Sequence, residues 1–490
     1  MMTTKIIEPT LFEKSRPGLT GASLPPSDVP PAETSDIPEK LLRKGNIGLP
    51  ELAEVQVMRH YVRLSNLNHH VEKGFYPLGS CTMKYNPKAN EDAAGLPGFT
   101  HTHPVMAEET SYGTIELMAQ LGEMLCEISG HNHYTLQPAA GAHGELTGLL
   151  MIRAYHEKNG NPRKNIIIPD SSHGTNPASI VFAGYEPVEI KSTERGTIDL
   201  AALEAALSED TAALMVTNPN TLGLFEKDIV KVCEMAHAVG AQMYMDGANL
   251  NAMMGYVRPA DLGFDVAHFN LHKTFSTPHG GGGPGSGPLS VADHLEPFLP
   301  RPVVRRDENG EPIFDFDRPD SIGKMQGFYG NFLVMVKAWL YLRMLGTDGV
   351  KEVTEWAILN ANYLLSRLVG HYNLQYKDTP LHEFVIDSTN LKQFGIRNVD
   401  VAKRLLDHGF HAPTMSFPLI VPEALMTEPT ETESKASLDS FADAMIEIAR
   451  EARENPEILH SAPTQTPIGR LDEGKAARLK ILRWPIPDEI

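Results

Sequence analysis

The sequence is short of cysteine, with only Cys81, Cys126 and Cys233 among 490 residues. Three scattered thiols cannot build a disulfide framework or a cysteine-based zinc site, and they suit a reducing cytosol. Basic charge is also scarce. Lys and Arg number 43 against 62 Asp and Glu, which leaves a formal charge of −19. That balance argues against sequence-independent attraction to nucleic acid or anionic lipid, so an anionic ligand needs a local site. The opening residues, Met1-Met2-Thr3-Thr4-Lys5-Ile6-Ile7-Glu8, lack the apolar stretch of a signal peptide, and no apolar run reaches the length of a membrane span. The expectation is a cytoplasmic protein with no membrane partner.

What is present divides the chain. Residues 1–50 read as an extended arm, because Leu24-Pro25-Pro26 and Val29-Pro30-Pro31 cannot continue a helix or a central strand. Such an arm either wraps a neighbouring subunit or is a disordered leader. Residues 51–110 read as a region of helix and loop, 111–330 as a large domain, 331–460 as bridging helices with a smaller domain, and 461–490 as a tail. Apolar spacing predicts a helix over Thr114–Ser129. Beyond it, short β-rich runs at Asn165–Ile168, Ala213–Thr217 and Gln242–Met245 alternate with helical stretches at Leu200–Leu207 and Ile229–Val239, the pattern of βαβ units on a mainly parallel sheet. Further helices are expected at Asn331–Leu345, Val350–Leu368, Val399–His408 and from about Ser434 to Glu454, with a strand at His382–Ile386. Thr430, Thr432 or Ser434 could cap the last helix.

Each of the three β-rich runs ends in polar residues: Asp170-Ser171-Ser172-His173, Asn218-Pro219-Asn220 and Asp246-Gly247-Ala248-Asn249. Ligands of open α/β sheets sit at strand carboxyl ends, so these clusters should meet. The most informative stretch runs from His268 through His272-Lys273-Thr274 to the four glycines Gly280–Gly283. A lysine between a strand and a glycine loop fits a Schiff-base lysine, since glycine permits close backbone approach and unusual φ values. A solvated lysine beside a flexible turn is the alternative. A nucleotide P-loop is excluded, because Pro288 and Leu289 follow the glycines where Gly-Lys-Ser/Thr is needed.

Asp246 could pair with the pyridine nitrogen of pyridoxal 5'-phosphate and keep it protonated, or could simply cap the turn at Gly247. His173 could stack on the cofactor ring or be a structural histidine. Gly141-Ala142-His143-Gly144 leads from a turn into a helix expected at Leu146–His156, where exposed amides attract phosphate; a plain tight turn is the other reading. Ser80, Cys81 and Thr82, in the polar loop Tyr76–Pro87, could contact substrate or belong to a surface connection. Cys81 could be a redox-sensitive thiol or an inert one. The pairs His101/His103 and His131/His133 raise a metal hypothesis, but no His-Glu-x-x-His or cysteine ligand set supports it, and no metal is expected.

Taken in order, these motifs resemble the glycine-cleavage P-protein family. The resemblance rests on Gly141-Ala142-His143-Gly144-Glu145, His173-Gly174-Thr175-Asn176-Pro177, Asp246-Gly247-Ala248-Asn249, the lysine–glycine block, Glu428-Pro429-Thr430-Glu431 and Arg470-Leu471-Asp472-Glu473. It implies a fold-type-I, aspartate-aminotransferase-like α/β enzyme with a mainly parallel sheet and a smaller C-terminal α+β domain. It further implies pyridoxal 5'-phosphate carried covalently on Lys273, with Asp246, His173, Gly141, Ala142, His143, Ala248 and His272 around it. The implied reaction decarboxylates glycine and transfers the aminomethyl group to the lipoyl arm of H-protein, so the redox disulfide belongs to the partner. Single-chain members of the family have two homologous halves and only the lysine-bearing half is present here, which implies a separate subunit 1 and an α2β2 assembly. Two segments depart from the family pattern, Gln137-Pro138-Ala139-Ala140 and Ser416-Phe417-Pro418-Leu419-Ile420-Val421-Pro422. The rival readings are another fold-type-I decarboxylase or aldolase, a cysteine desulfurase, and a non-catalytic scaffold.

Overall fold

The computed structural model of the protein describes residues 8–31, 35, 37–45, 47–283 and 285–479. Its contacts divide the chain into two units, one spanning Gly74–His460 and the other formed by the segments before and after it. In the flanking unit, the helix Glu54–Leu67 buries His60, whose Nδ1 lies 3.0 Å from the Glu8 carboxylate. Glu473–Arg478 forms a short helix capped by Asp472, whose side chain accepts from the Lys475 amide. Among the described residues no helix is long and apolar enough to cross a membrane.

The Gly74–His460 unit is built on seven strands: β1 (His133–Thr135), β2 (Asn165–Pro169), β3 (Glu186–Ile190), β4 (Thr211–Thr217), β5 (Gln242–Asp246), β6 (Val266–His268) and β7 (Leu289–Val291). Their order is β1-β7-β6-β5-β4-β2-β3. Strands β2 to β6 are parallel, while β7 runs antiparallel to both β6 and β1. Helices cover both faces, so the central strands are apolar on both sides. Ile166, Ile168 and Tyr244 join Leu149 and Ile152 of the helix Gly141–Lys158 in one core, whereas Ile167, Met243 and Met245 point the other way, toward Leu121 and Leu125 of the helix Tyr112–Ser129. This is the two-residue alternation of a strand with neither face left to water.

A hairpin of β8 (Val303–Arg306) and β9 (Pro312–Asp315) follows. The two helices expected between residues 331 and 368 are present within Phe332–Leu368 and meet at a kink at Gly346, where φ is 61° and ψ is −172°. A three-stranded antiparallel sheet then forms from β10 (Phe384–Asp387), β12 (Ala424–Thr427) and β11 (Thr414–Met415). Phe384, Ile386 and Leu425 pack on Phe441, Met445 and Ile448 of the helix Lys435–Glu454. That helix is capped by Ser434, whose side chain accepts from the Ser437 amide at 3.2 Å.

Candidate active site

The carboxyl ends of β2, β4 and β5 meet as expected. Thr221 Oγ1 donates to the Ser171 carbonyl at 2.6 Å, Asn249 Nδ2 to the Pro219 carbonyl at 2.9 Å, and Asn176 Nδ2 to Asp246 Oδ2 at 3.1 Å. Asp246 is the last residue of β5 and is buried. Its Oδ1 accepts from the Ala248 amide at 3.0 Å, and His268 Nε2 lies 3.3 Å from the same oxygen. Burial alone would raise this carboxyl, but His268, Lys273 and the two hydrogen bonds outweigh it and hold the group below the ordinary carboxylate value.

His268 was not singled out in the sequence. It faces Asp246 because the parallel register of β5 and β6 pairs the two residues. Its Nδ1 lies 3.1 Å from the Tyr244 hydroxyl, which is also 3.1 Å from the Gly144 carbonyl. The carboxylate is thereby tied to the first turn of the helix Gly141–Lys158. That helix begins five residues before the expected Leu146, so Gly141, Ala142 and His143 form its start rather than a preceding turn. Its N-cap is Ala140, which offers no side-chain acceptor to the first amides. His143 Nδ1 instead accepts from the Ala139 amide at 3.1 Å.

Lys273 follows β6 and is half-buried. With the Asn270 amide turned to satisfy its neighbours, its nitrogen donates to the Phe269 carbonyl at 3.1 Å and its oxygen accepts from Lys273 Nζ at 3.3 Å. Imidazoles surround the lysine and are held neutral. Burial, His279 and Lys273 push His272 down to about 3, and burial with Lys273 pushes His279 down to about 4. Burial also lowers His173, opposed by Asp246 and reinforced by Lys273. The Thr175 hydroxyl lies between His173 Nδ1, at 2.8 Å, and the Glu145 carboxylate, at 2.7 Å. Phe417 meets the His173 ring edge-on at 5.6 Å, which places the divergent Ser416–Pro422 segment beside this residue.

The glycine block shows the unusual φ values expected of it but not the close backbone approach. Gly280 to Gly283 all have positive φ, but a Cβ at 281, 282 or 283 would touch nothing. Close approach occurs elsewhere: a Cβ at Gly287 would lie 2.0 Å from the Ala140 carbonyl, at the helix start.

The loop carrying Ser80, Cys81 and Thr82 is anchored from below by two glutamates that sequence reasoning missed or left without a role. Glu383 precedes β10, and both of its oxygens lie on Ser80, whose amide donates at 2.5 Å and whose hydroxyl lies at 3.0 and 3.1 Å. Glu428, just after β12, accepts from the Thr82 amide at 2.8 Å. The neighbouring Glu431 pairs at 2.7 Å with buried Lys84, which also donates to the Thr274 carbonyl at 2.7 Å. The Glu428–Glu431 motif therefore binds the loop to the turn after Lys273. Burial raises the Cys81 thiol, with Lys273 opposing and Glu428 and Glu383 adding. The protonated thiol is a poor nucleophile and gives no support to a desulfurase reading.

The His131/His133 pair is occupied structurally. His131 lies 2.8 Å from both Ser290 Oγ and the Phe264 carbonyl, and His133 lies 3.1 Å from Asp293. His101 ends the short helix Pro97–Thr100. Gln137, in the first divergent segment, donates to the Pro300 and Pro302 carbonyls and accepts from the Met325 amide.

Comparison with known proteins gives concordant matches. Residues 353–464 match the family described as glycine dehydrogenase, C-terminal domain, and residues 147–284 match aminotransferase class-V. The chain is 57% identical to a probable glycine dehydrogenase (decarboxylating) subunit 2 of Listeria welshimeri, over 97% of this chain and 98% of that protein. It is 56% identical to the protein of the same description from Chloroherpeton thalassium, over 96% of each. A crystal structure of an inhibitor-bound glycine decarboxylase (P-protein) of the glycine cleavage system superposes with a TM-score of 0.71 at 22% identity, covering 85% of this chain and 94% of the other. Lactobacillus brevis glutamate decarboxylase superposes with a TM-score of 0.63 at 14% identity, covering 85% and 96%. At these identities the two structures speak for the fold, which is that of fold-type-I pyridoxal-phosphate enzymes.

Proposed function

Because the chain belongs to the glycine dehydrogenase (decarboxylating) subunit 2 family of pyridoxal-phosphate enzymes, we propose that it is the lysine-bearing subunit that decarboxylates glycine and passes the aminomethyl group to the lipoyl arm of H-protein, releasing carbon dioxide. It works with a separate subunit 1 in an α2β2 assembly, in the cytoplasm, where its three free cysteines would stay reduced.

The side chains present fit the cofactor. Buried polar atoms on Thr274, Thr277, His279 and Ser286 have no hydrogen-bond partner, and the helix start at Gly141 has no side-chain cap. Both are arrangements that an anionic ligand satisfies. Pyridoxal phosphate, when bound, supplies an electron sink for the electrons left as carbon dioxide departs. Lys273 Nζ would hold it covalently. Asp246, kept ionised, would hold a proton at the ring nitrogen, and Asn176 and the Ala248 amide would fix the carboxylate's direction. His173, neutral, would cover one face of the ring. The amides of Gly141, Ala142 and His143 would bind the phosphate, with His272 and Ala248 alongside. Ser80, Cys81 and Thr82 would line the glycine side.

The observation that carries this reading is the ionised, buried Asp246 at a strand end neighbouring that of Lys273. Addition of pyridoxal phosphate to the chain should produce a visible absorbance band that Lys273→Ala abolishes; an unchanged band in the variant would remove Lys273 from its role. Glycine–bicarbonate carboxyl exchange, measured with lipoylated H-protein and subunit 1, should appear in the full mixture. Inactivity there would point to another pyridoxal-phosphate reaction.

A further inference from the structure

Two acidic side chains in this unit are stranded in an unusual way. Glu383 and Glu428 are both fully buried and come from opposite edges of the sequence of the small sheet, one entering β10 and the other leaving β12. One carboxylate oxygen of each and one nitrogen of His382 all lie within 4.8 Å of one another. The charged groups facing them are Lys273 beyond β6 and Lys84 on the loop, and the neutral titratable groups are the Cys81 thiol and His382 beside them. None neutralises the pair directly. Lys84 is committed to Glu431, the Thr274 carbonyl and the Tyr341 hydroxyl. Among the described residues the ion-pair contacts of Glu383 and Glu428 are with His382 alone, at 3.9 Å each. Both His382 nitrogens and Glu428 Oε1 lack hydrogen-bond partners, and burial with Lys273 and Lys84 pushes His382 down to about 3, so that ring is uncharged.

Two carboxylates this close and this deeply buried share a proton at less cost than both being ionised. We propose that Glu383 and Glu428 are positioning residues that share one proton and hold the Ser80-Cys81-Thr82 turn in its left-handed form at the Lys273 side of the site. The turn needs holding. Ser80 has φ of 59° and Thr82 of 49°, a region that β-branched threonine in particular avoids. The glutamates supply the compensation: Ser80 gives its amide and hydroxyl to Glu383, and Thr82 its amide to Glu428. Asn249, three residues past Asp246, donates to Glu383 Oε1 at 3.0 Å, so the pair is also coupled to the carboxylate at the end of β5. Burial raises both glutamates, and for Glu383 the charge of Glu428 raises it further. A protonated pair presents one negative charge toward Lys273, and loss of the shared proton presents two.

The direction of this effect on the reaction rests on the proposed role of Lys273, but the pair itself can be tested without cofactor. Infrared spectra of the full cofactor-free chain, with labelled glutamate, should show a protonated carboxyl at neutral pH. Its titration should move to lower pH in both Glu383→Gln and Glu428→Gln, because each removes the neighbouring charge. Absence of a protonated carboxyl, or a titration that neither substitution moves, would overturn the proposal. Ser80→Gly gives an independent readout if the glutamine variants do not fold. It keeps the left-handed turn and deletes the hydroxyl donor to Glu383, and should raise the titration by about one pH unit; an unmoved titration would count against the pair. In the loaded assembly, the pH profile of kcat/KM should lose its limb near neutrality in Glu428→Gln while the cofactor band persists. A failure of the infrared test leaves the Lys273 reading intact, and a cofactor band that survives Lys273→Ala leaves the carboxyl pair intact.

Discussion

Asp246 shows how a single carboxylate is made useful by its surroundings. It gives up water, yet receives the Ala248 amide, the Asn176 amide group and the His268 ring in exchange, and so stays ionised. Asp246→Asn keeps the shape and removes the charge. It should retain some cofactor but lower the rate of glycine decarboxylation by about 10²–10³-fold, or about 2.7–4 kcal/mol, as for loss of one preorganised electrostatic group; exchange kinetics at saturating glycine would measure it. Glu428 runs the other way. Burial raises it to about 7 as one of the two carboxylates that hold the shared proton, whereas an unfolded glutamate ionises near ~4.3. Between those values the folded state holds the extra proton, so stability is fully present below the lower value and declines as pH rises through the upper one. Urea midpoints of the cofactor-free chain from about pH 5 to about pH 8 should therefore fall in the parent chain relative to Glu428→Gln.

At the scale of elements, the break at Gly346 is a strong local constraint. The combination of φ 61° and ψ −172° is open essentially to glycine alone, and a Cβ there would meet no other atom. Gly346→Ala should cost about 1–3 kcal/mol through backbone strain without any clash, a loss readable from urea denaturation. The same elements show what sequence can reveal. Runs such as Ala213–Thr217, apolar up to the closing threonine, and the amphipathic Lys435–Glu454 announce themselves by composition and period. The strands β1, β6 and β7 have three residues each and carry too few positions for any period to register. The helix start at Gly141 was hidden for another reason. Gly144 reads as a turn residue, but it serves as a place where the Gly287 carbonyl presses against the helix, so packing overrides propensity. Lys273, Asp246 and His173 could be proposed for the site because each sits in a polar cluster at or just past a strand end. Glu383 and His382 could not, since they reach the site from a sheet more than a hundred residues downstream of Lys273 and no local pattern marks them.

At the scale of the molecule, a chain with formal charge −19 needs a local site for an anion, and the proposed one joins the uncapped helix start at Gly141 to Lys273. Light scattering of the chain mixed with subunit 1 should give the mass of two copies of each, and a persistent mass of the isolated chain would contradict the α2β2 assembly. The ties between the ends of the Gly74–His460 unit have a temporal meaning as well. Thr82 and the Glu428 that receives its amide are 346 positions apart. At a bacterial or eukaryotic ribosome's ~5–20 residues per second, that separation is roughly 20–70 s of synthesis. For that interval the nascent chain can lay down the strands on either side of Lys273 while the turn at Ser80 still lacks both glutamates. Lys273 precedes Glu428 by 155 positions, so a chain truncated before Glu428 would carry the lysine beside a turn not yet held at Thr82.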